Sequence, residues 1–397
     1  MTAYLNALGL VCALGRGQAE VAAHLFAGDC SGMQPQEGWI AERSPPVGAV
    51  TGELPAVPLP GQHSRNNQLL YSAALQIEPA IRQAIDRHGA GRVAVILGTS
   101  TSGIAEASDG IAEYLKTQHF PERYRYDQQE LSAPANFLAD WLQLSGPAYV
   151  ISTACTSSGR ALSSARRLLD LGLCDAVLCG GVDSLCGLTL NGFSALEALS
   201  DHRCNPFSVN RNGINIGEGA ALFLMTRERN PAGPSIALLG TGAGSDAHHI
   251  SAPDPTGKGA LQTMRKALDN AGLVPGQIDY LNLHGTATPH NDAMESLAVH
   301  ELFGSALPCS SSKPMTGHTL GAAGALEAAF CWLSLSEHNP MGLLAPHVWD
   351  GQADPQLPAL SLTRAGQCLS TRSPRRLMSN SFAFGGNNVS LILGDVP

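Results

Sequence analysis

The sequence predicts an α/β protein, and three observations carry that prediction. A short β-branched run, Ala148–Ser152, ends at a tight turn of small residues and passes directly into a helical pattern. A second short apolar run, Tyr280–Leu283, ends in a Gly/Thr turn, and strands of this kind alternate with helices along the rest of the chain. In order, the apolar Met1–Val11 reads as a first strand, being too short and too poor in flanking basic residues for a signal peptide. Strands follow at Val93–Leu97, Ala148–Ser152, Ala176–Cys179 and Ala220–Leu224. A second series runs through a strand at Ser235–Gly240, a helix over 259–271, the strand Tyr280–Leu283, a helix after His318 and a closing strand Val389–Leu393. Two Pro/Gly-rich stretches, Gln34–Gln62 and His338–Pro358, predict surface excursions rather than linkers, so both series should share one core.

Composition narrows the class. A chain of 397 residues with 44% hydrophobic residues can bury a large core. Ten cysteines without paired spacing predict a reduced, cytoplasmic environment and no disulfide framework. No run approaches the roughly 18 apolar residues that span a bilayer, so membrane insertion is not expected. The net charge of −9 and the lack of a Lys/Arg cluster argue against nucleic acid, while a local basic patch could still meet an acidic protein.

The chemistry centres on Cys155, in Ser152-Thr153-Ala154-Cys155-Thr156-Ser157-Ser158. Leu162, Ala165, Leu168 and Leu169 share one face of the helix that follows, and Ser/Thr residues suit its N-terminus. Cys155 therefore sits at a strand-to-helix elbow, where amide N–H groups and the helix dipole should favour a thiolate. Cys174, Cys179 and Cys186 lack such a setting and read as structural. His284 follows the Tyr280–Leu283 strand, so its ring should emerge at the carboxyl end of a sheet, where α/β proteins collect ligands. Thr286 and Thr288 add two hydroxyls to a turn that Pro289 stiffens, as in the wall of a polar ligand tunnel. His318 closes Lys313-Pro314-Met315-Thr316-Gly317-His318, and a lysine in so apolar a segment needs a partner, for which Glu327 is the nearest carboxylate. On its own Lys313 would be a solvated surface residue, and His284 a satisfied core histidine. The segment Phe382-Ala383-Phe384-Gly385-Gly386-Asn387 is a loop whose amide could face a ligand and whose Phe384 could swing, although by itself it is also an ordinary hairpin turn.

Together these four segments resemble the β-ketoacyl-carrier-protein synthases of the elongating, Cys-His-His type, within the thiolase-like superfamily. The resemblance spans nearly the whole chain and includes Pro206–Gly213 with Ile216–Ala220, and Asp246–His249 with Ala252–Pro255. It implies the five-layered αβαβα thiolase-like fold, built from two pseudo-repeated α/β halves: residues 1–232 carrying the nucleophilic cysteine, and 233–397 carrying both histidines and the gating loop. It also implies decarboxylative Claisen condensation. Cys155 would hold the acyl group, with the N–H groups of Cys155 and Phe384 as the oxyanion hole. His284 and His318 would donate to the enolate left when malonyl carrier protein loses carbon dioxide. Thr286 and Thr288 match residues that hold the pantetheine arm, Phe384 matches the gate, and Phe382 and Ile104 match pocket-lining positions. Lys313 and Glu327 match a pair that orders the His318 region, and Asp292 and Glu295 match structural acidic positions.

By the same resemblance no cofactor or metal is bound, and substrates arrive on the phosphopantetheine of acyl carrier protein. The expected assembly is a homodimer, or a heterodimer with a chain-length-factor-like subunit. Arg65, Arg166, Arg167 and Arg211 are candidate carrier contacts. Ala383 and Asn387 depart from the family's usual glycine and threonine, which puts the mobility of the gate in question. The Cys155 segment, with Cys179-Gly180-Gly181-Val182-Asp183-Ser184-Leu185-Cys186, looks most like the aryl polyene pathway subgroup. Two other classes compete: a thioester acyltransferase or hydrolase that never condenses, disfavoured by the presence of both His284 and His318, and a chain-length-determining subunit, disfavoured by Cys155.

Overall fold

The structure is a computed structural model that describes every residue except Met1, Ala232, Pro234 and Pro397. Met1, where the first strand was expected to open, and Ala232, the expected end of the first half, lie outside the described residues. The first part of the chain comprises β1 (Ala3–Cys12), β2 (Gly15–Arg16), α1 (Gln18–Ala27), β3 (Met33–Pro35), β4 (Pro46–Gly48), α2 (Arg65–Gln76) and α3 (Glu78–His88). It continues with β5 (Val93–Gly98), α4 (Ile104–Thr117), α5 (Ala133–Leu142), β6 (Ala148–Ile151), α6 (Ser157–Asp170), β7 (Ala176–Asp183), α7 (Gly187–Ala195) and β8 (Gly219–Thr226). The second comprises β9 (Ile236–Ser245), α8 (Lys258–Ala271), β10 (Tyr280–Asn282), α9 (Pro289–Phe303), β11 (Pro308–Ser310), α10 (Lys313–Thr316), α11 (Ala323–Leu335), β12 (Ser361–Leu362), β13 (Arg376–Phe382) and β14 (Asn387–Asp395).

Strand pairing repeats between these parts. In the first, the order is β6-β5-β7-β8-β1, with β5 parallel to β6 and β7, and β8 antiparallel to β7 and β1. In the second it is β11-β10-β13-β14-β9, with β10 parallel to β11 and β13, and β14 antiparallel to β13 and β9. Numbered along the chain, each run of five is therefore ordered 3-2-4-5-1. The runs join where β1 meets β9, Ala3 opposite Leu238 and Tyr4 opposite Ala237. Helices α6 and α11, each lying between the third and fourth strands of its run, touch one another and strands of both runs. They form the middle layer, with α2 and α5 outside one sheet and α8 and α9 outside the other. This is the five-layered thiolase-like architecture. The middle-layer core cluster draws residues from both parts, while a second cluster belongs to the first part and a third almost wholly to the second.

All thirteen residues of α11 are buried, as expected of a predominantly apolar helix enclosed by two sheets, its one carboxylate, Glu327, being paired. Close packing of the middle layer depends on small residues. A Cβ on Gly98 would stand 2.2 Å from the Ser158 nitrogen, and one on Gly324 2.9 Å from the Gly159 nitrogen, where α11 crosses α6. Gly98→Ala should therefore push the N-terminus of α6 off the sheet, costing about 1–3 kcal/mol in urea denaturation. Unchanged stability would show that the sheet relaxes around the extra methyl.

Several boundaries differ from expectation. The β7 strand runs on through Gly180 and Gly181 to Asp183, because those glycines lie under α6 and against β8, where side chains do not fit. The Ala148–Ile151 strand is partly exposed rather than buried, since β6 is the last strand of its sheet. The 338–358 stretch runs over the surface as expected, with Met341 and Asp350–Ala353 exposed, and also straps the 205–211 segment: Arg211 pairs with Asp354, Asp350 accepts from Ser208 and Asn210, and His347 is buried. Among the described residues, no helix is long and apolar enough to cross a membrane.

Candidate active site

Cys155 sits at the elbow between β6 and α6. Ala154 adopts φ 54°, a left-handed conformation costly for a residue with a Cβ. The strain is held by the Ser157 amide and hydroxyl, which donate to Ala154 O at 3.0 and 2.5 Å, and by the Thr153 amide, which donates to Ser157 Oγ at 2.9 Å. Thr156 at the helix N-cap makes no side-chain capping bond; its hydroxyl turns back to Thr153 O at 2.8 Å.

The two histidines arrive from the other half of the molecule. His284 follows β10, and its turn is held by Glu295, which accepts from the amides of His284 and Gly285, both at 2.8 Å. Asp292 accepts from the amides of Ala287 at 3.2 Å and Phe207 at 2.8 Å. Burial raises both carboxyls, Asp292 to about 6 and Glu295 to about 7, against the lowering effect of these amides. Both residues serve the backbone, in keeping with a structural reading. The His318 backbone is bracketed by the 215–217 segment: His318 N donates to Asn215 O at 2.7 Å and Gly217 N to His318 O at 2.9 Å. That bracket is what the Ile216–Ala220 motif does for the site.

His318 Nε2 lies 2.9 Å from Cys155 Sγ, across 163 residues of sequence. The His284 and His318 ring centroids are 5.3 Å apart at 82°, and one donor atom each from Cys155, His284 and His318 falls within 4.8 Å of the others. Burial, followed by the Lys313 charge, lowers the pKa of both imidazoles well below the usual histidine value, so both are neutral. Lys313 Nζ donates to His284 O and to Glu327 Oε1, both at 2.5 Å, and stands 3.5 Å from His284 Nδ1. A donor facing Nδ1 makes that nitrogen the acceptor and leaves the ring proton on Nε2. The Lys313–Glu327 pair expected from sequence is thus formed, with both side chains buried. Its ammonium disfavours a second cation among the same three donors.

The thiolate expectation needs correction. Burial pushes the Cys155 thiol up to about 12, against the lowering effects of the Lys313 charge and of the amides of Phe384 and Cys155, both of which address the sulfur. Desolvation in the middle of a five-layer protein outweighs the helix terminus, so the resting group is a neutral thiol hydrogen-bonded to His318. Alkylation by iodoacetamide, followed by intact mass, should accordingly keep accelerating as pH rises past 9. A rate plateau below pH 8 would instead mean a preformed thiolate.

These groups open onto a cavity of about 480 Å³ that Thr286, Thr288, Phe382 and Phe384 also line. The hydroxyls of Thr286 and Thr288 lie 3.0 Å apart. Phe384 occupies the β13–β14 hairpin turn and packs on Phe193 of α7, with ring centroids 5.4 Å apart, so the hairpin reading and the loop reading of this segment both hold. Ile104 is not brought to the cavity wall; it opens α4 beyond the Thr99–Ser102 turn, and the cavity of this single chain ends short of it.

Three of the four arginines expected to meet a carrier are engaged internally. Arg65 pairs with buried Glu218, Arg211 with Asp354, and Arg166 donates to Leu239 O and Asn270; Arg167 is exposed. Sequence reasoning missed Asp183, whose carboxylate accepts from the Gly321 amide at 2.5 Å and from Thr99, Ser100 and Thr101, tying the turn after His318 to the end of β5. A carboxylate ending an apolar strand was the available signal. Phe193 and Leu196 of the cavity wall were also missed, since nothing local marks a residue that becomes a wall only on folding.

The sequence matches the family described as beta-ketoacyl synthase, N-terminal domain, over residues 70–230, and beta-ketoacyl synthase, C-terminal domain, over 236–342. It is 36% identical over 268 residues to the mitochondrial 3-oxoacyl-[acyl-carrier-protein] synthase of Arabidopsis thaliana, covering 63% of this chain and 57% of that one. Over 260 residues it is 35% identical to 3-oxoacyl-[acyl-carrier-protein] synthase 2 of Staphylococcus aureus, covering 62% and 63%. The matched region thus spans less than two thirds of these curated relatives. Among solved structures, a chain of the complex of the ketosynthase ApeO with its chain length factor ApeC from Xenorhabdus doucetiae is 46% identical, covering 100% of this chain and 98% of that one, with TM-score 0.93. A beta-ketoacyl synthase from Burkholderia phymatum is 28% identical, with full coverage of both chains and TM-score 0.87.

Proposed function

The chain belongs to the β-ketoacyl synthase family, and we propose that it catalyses decarboxylative condensation of malonyl carrier protein with an acyl chain held on Cys155. The observation that carries this reading is the grouping of one thiol, two neutral imidazoles and two sulfur-facing amides at a single cavity. Acyl transfer alone needs a nucleophile, a proton carrier and an oxyanion hole, so the second imidazole calls for a second charged intermediate.

In the first half-reaction, Sγ of Cys155 attacks the thioester carbonyl of the acyl carrier. The oxyanion is stabilised by the amides of Cys155 and Phe384, and the proton held between Sγ and His318 goes to the departing pantetheine thiol. In the second, the malonyl thioester binds with its carbonyl oxygen towards His284 and His318. Loss of carbon dioxide leaves an enolate, which the Nε2–H of His284 stabilises, joined by His318 once the thiol proton it accepted has left with the pantetheine and its own ring proton has moved from Nδ1 to Nε2. The enolate carbon then attacks the acyl carbonyl, forming the new C–C bond and expelling the Cys155 sulfur as a thiolate, which takes up one proton from solvent to restore the resting thiol. Neutral imidazoles suit this task, as they donate without first giving up a net charge. Thr286 and Thr288 would hold the pantetheine arm, and Phe384 would gate it. On this reading Lys313 sets the proton position on His284, with Glu327 supporting it, and the halves divide at residues 232 and 233.

The partners follow the same reading: an acyl carrier protein, and a second subunit of the same fold in a homodimer or a heterodimer, in the cytoplasm. Likeness to a chain from a ketosynthase–chain length factor complex supports the heterodimer and, with the Cys179–Cys186 segment, a specialised aryl or polyenoyl substrate. The test is intact mass spectrometry after mixing with acyl and malonyl carrier proteins, with carbon dioxide followed in parallel. An acyl adduct on Cys155, carbon dioxide and a ketoacyl carrier two carbons longer are expected, alone or on adding the second subunit. An adduct that is hydrolysed without carbon dioxide release would replace condensation with simple acyl transfer.

A further inference from the structure

The strap over residues 338–358 brings one buried imidazole, His347, to a point where two separate segments meet. Its Nδ1 accepts from the Ser311 amide at 3.1 Å, and its Nε2 lies 3.0 Å from Pro206 O. One ring nitrogen faces a donor and the other a carbonyl, so only the neutral tautomer carrying its proton on Nε2 satisfies both. Burial pushes the pKa of this ring down to about 4, which keeps that form in place throughout the neutral range.

Each of the two segments leads to the same turn. On one side, Ser311 Oγ donates to Gly285 O at 2.7 Å, and two residues on lies Lys313, whose Nζ holds His284 O. On the other, the residue after Pro206 donates its amide to Asp292 at 2.8 Å, and Asp292 in turn accepts from the Ala287 amide. The Gly213 amide, further along that segment, donates to Ala287 O at 2.9 Å. The 284–288 turn is therefore gripped from both ends by chains of bonds that close at His347. Cys155 is held by other means, through its own elbow and the 215–217 bracket of His318, with no hydrogen bond to the strap among the described residues.

From this arrangement we infer that His347 is a positioning residue for His284 and the Thr286–Thr288 wall, acting on the decarboxylation half-reaction and not on acylation of Cys155. The inference rests on the condensing reading above. Glutamine spans the same acceptor-donor separation with Oε1 and Nε2, so His347→Gln should keep both bonds. His347→Phe fills the space and keeps neither, leaving a buried amide and a buried carbonyl unpaired.

The test compares these two variants with the parent protein in two assays on the same samples: the rate of acyl-adduct formation on Cys155, and carbon dioxide release from malonyl carrier protein. His347→Phe is expected to acylate at the parent rate, while its kcat for carbon dioxide release falls by about 10- to 100-fold, the scale of a small misplacement of a reacting group. His347→Gln should restore release to within a few-fold. Equal loss in both assays, or equal loss in both variants, would overturn the inference. Histidine-labelled NMR on the same proteins separates this failure from failure of the condensing reading. Should the parent release no carbon dioxide, displaced His284 ring signals in His347→Phe alone would still support the positioning role, and unmoved signals would refute it.

Discussion

Cys155→Gln should abolish condensation, by about 10⁴-fold or more, while malonyl carrier protein is still decarboxylated. The separation follows from the geometry. On the proposed reading Cys155 carries the acyl chain, whereas the enolate is held by His284 and His318, whose turns are fixed by Glu295, Lys313 and the 215–217 segment. Glutamine removes the nucleophile and leaves that frame in place. His318→Ala is the converse: it removes one of two donors to the enolate oxygen and should slow carbon dioxide release by about 10²–10³-fold. Quantifying carbon dioxide and ketoacyl carrier side by side checks both variants. If Cys155→Gln lost both activities together, decarboxylation would depend on the thiol and the division of labour would be wrong.

The second large effect belongs to Lys313→Met. The parent ammonium lies 2.5 Å from Glu327 Oε1 in a fully buried setting, and Glu327 Oε2 has no hydrogen-bond partner among the described residues. Removing the cation leaves a carboxylate inside the apolar α11 layer. Breaking a buried pair from one side costs about 3–5 kcal/mol, which urea denaturation measures directly.

The loss should depend on pH with a definite sign. Burial already raises the Glu327 carboxyl in the parent, and Lys313 opposes that rise. Without the lysine, the folded variant holds a proton on Glu327 that the unfolded chain has released above the ordinary glutamate pKa. More protons bound in the folded state means that stability falls as pH rises, so the variant should be closer to parent at pH 5 than at pH 8. Lys313→Met combined with Glu327→Gln removes the orphan charge and should recover most of the stability. Carbon dioxide release should stay low, because His284 still lacks the donor that sets its ring proton. Recovery of both properties together would mean that Lys313 serves stability alone.

Much of the site is legible in sequence because its parts are local. The small-residue turn between Ile151 and Ser157 marks the elbow, apolar runs ending in Gly/Thr or Gly/His turns mark His284 and His318, and a lysine in an apolar segment demands a carboxylate. Arg65, Arg166 and Arg211 show the converse. Their charge is visible in the sequence, but their partners Glu218, Asn270 and Asp354 lie 153, 104 and 143 residues away, and only folding ties them up, with Arg166 and Arg211 largely buried and Arg65 still half-exposed. Ile104 lies outside the cavity lined by this chain, since a wall position depends on where a cavity ends.

The sequence by itself determined the α/β class, from short-range patterns of polarity, size and turn chemistry, and singled out Cys155, His284, His318 and the Lys313–Glu327 pair, whose roles came from the resemblance of their segments to the β-ketoacyl synthases. The tertiary structure alone decided the repeated 3-2-4-5-1 sheet order, the convergence of Sγ and Nε2 to 2.9 Å, and the role of His347 behind the His284 turn. It also reversed the expected thiolate, because protonation is set by the balance of desolvation against amides and a distant lysine. That balance is a property of burial, which depends on contacts far apart in the chain.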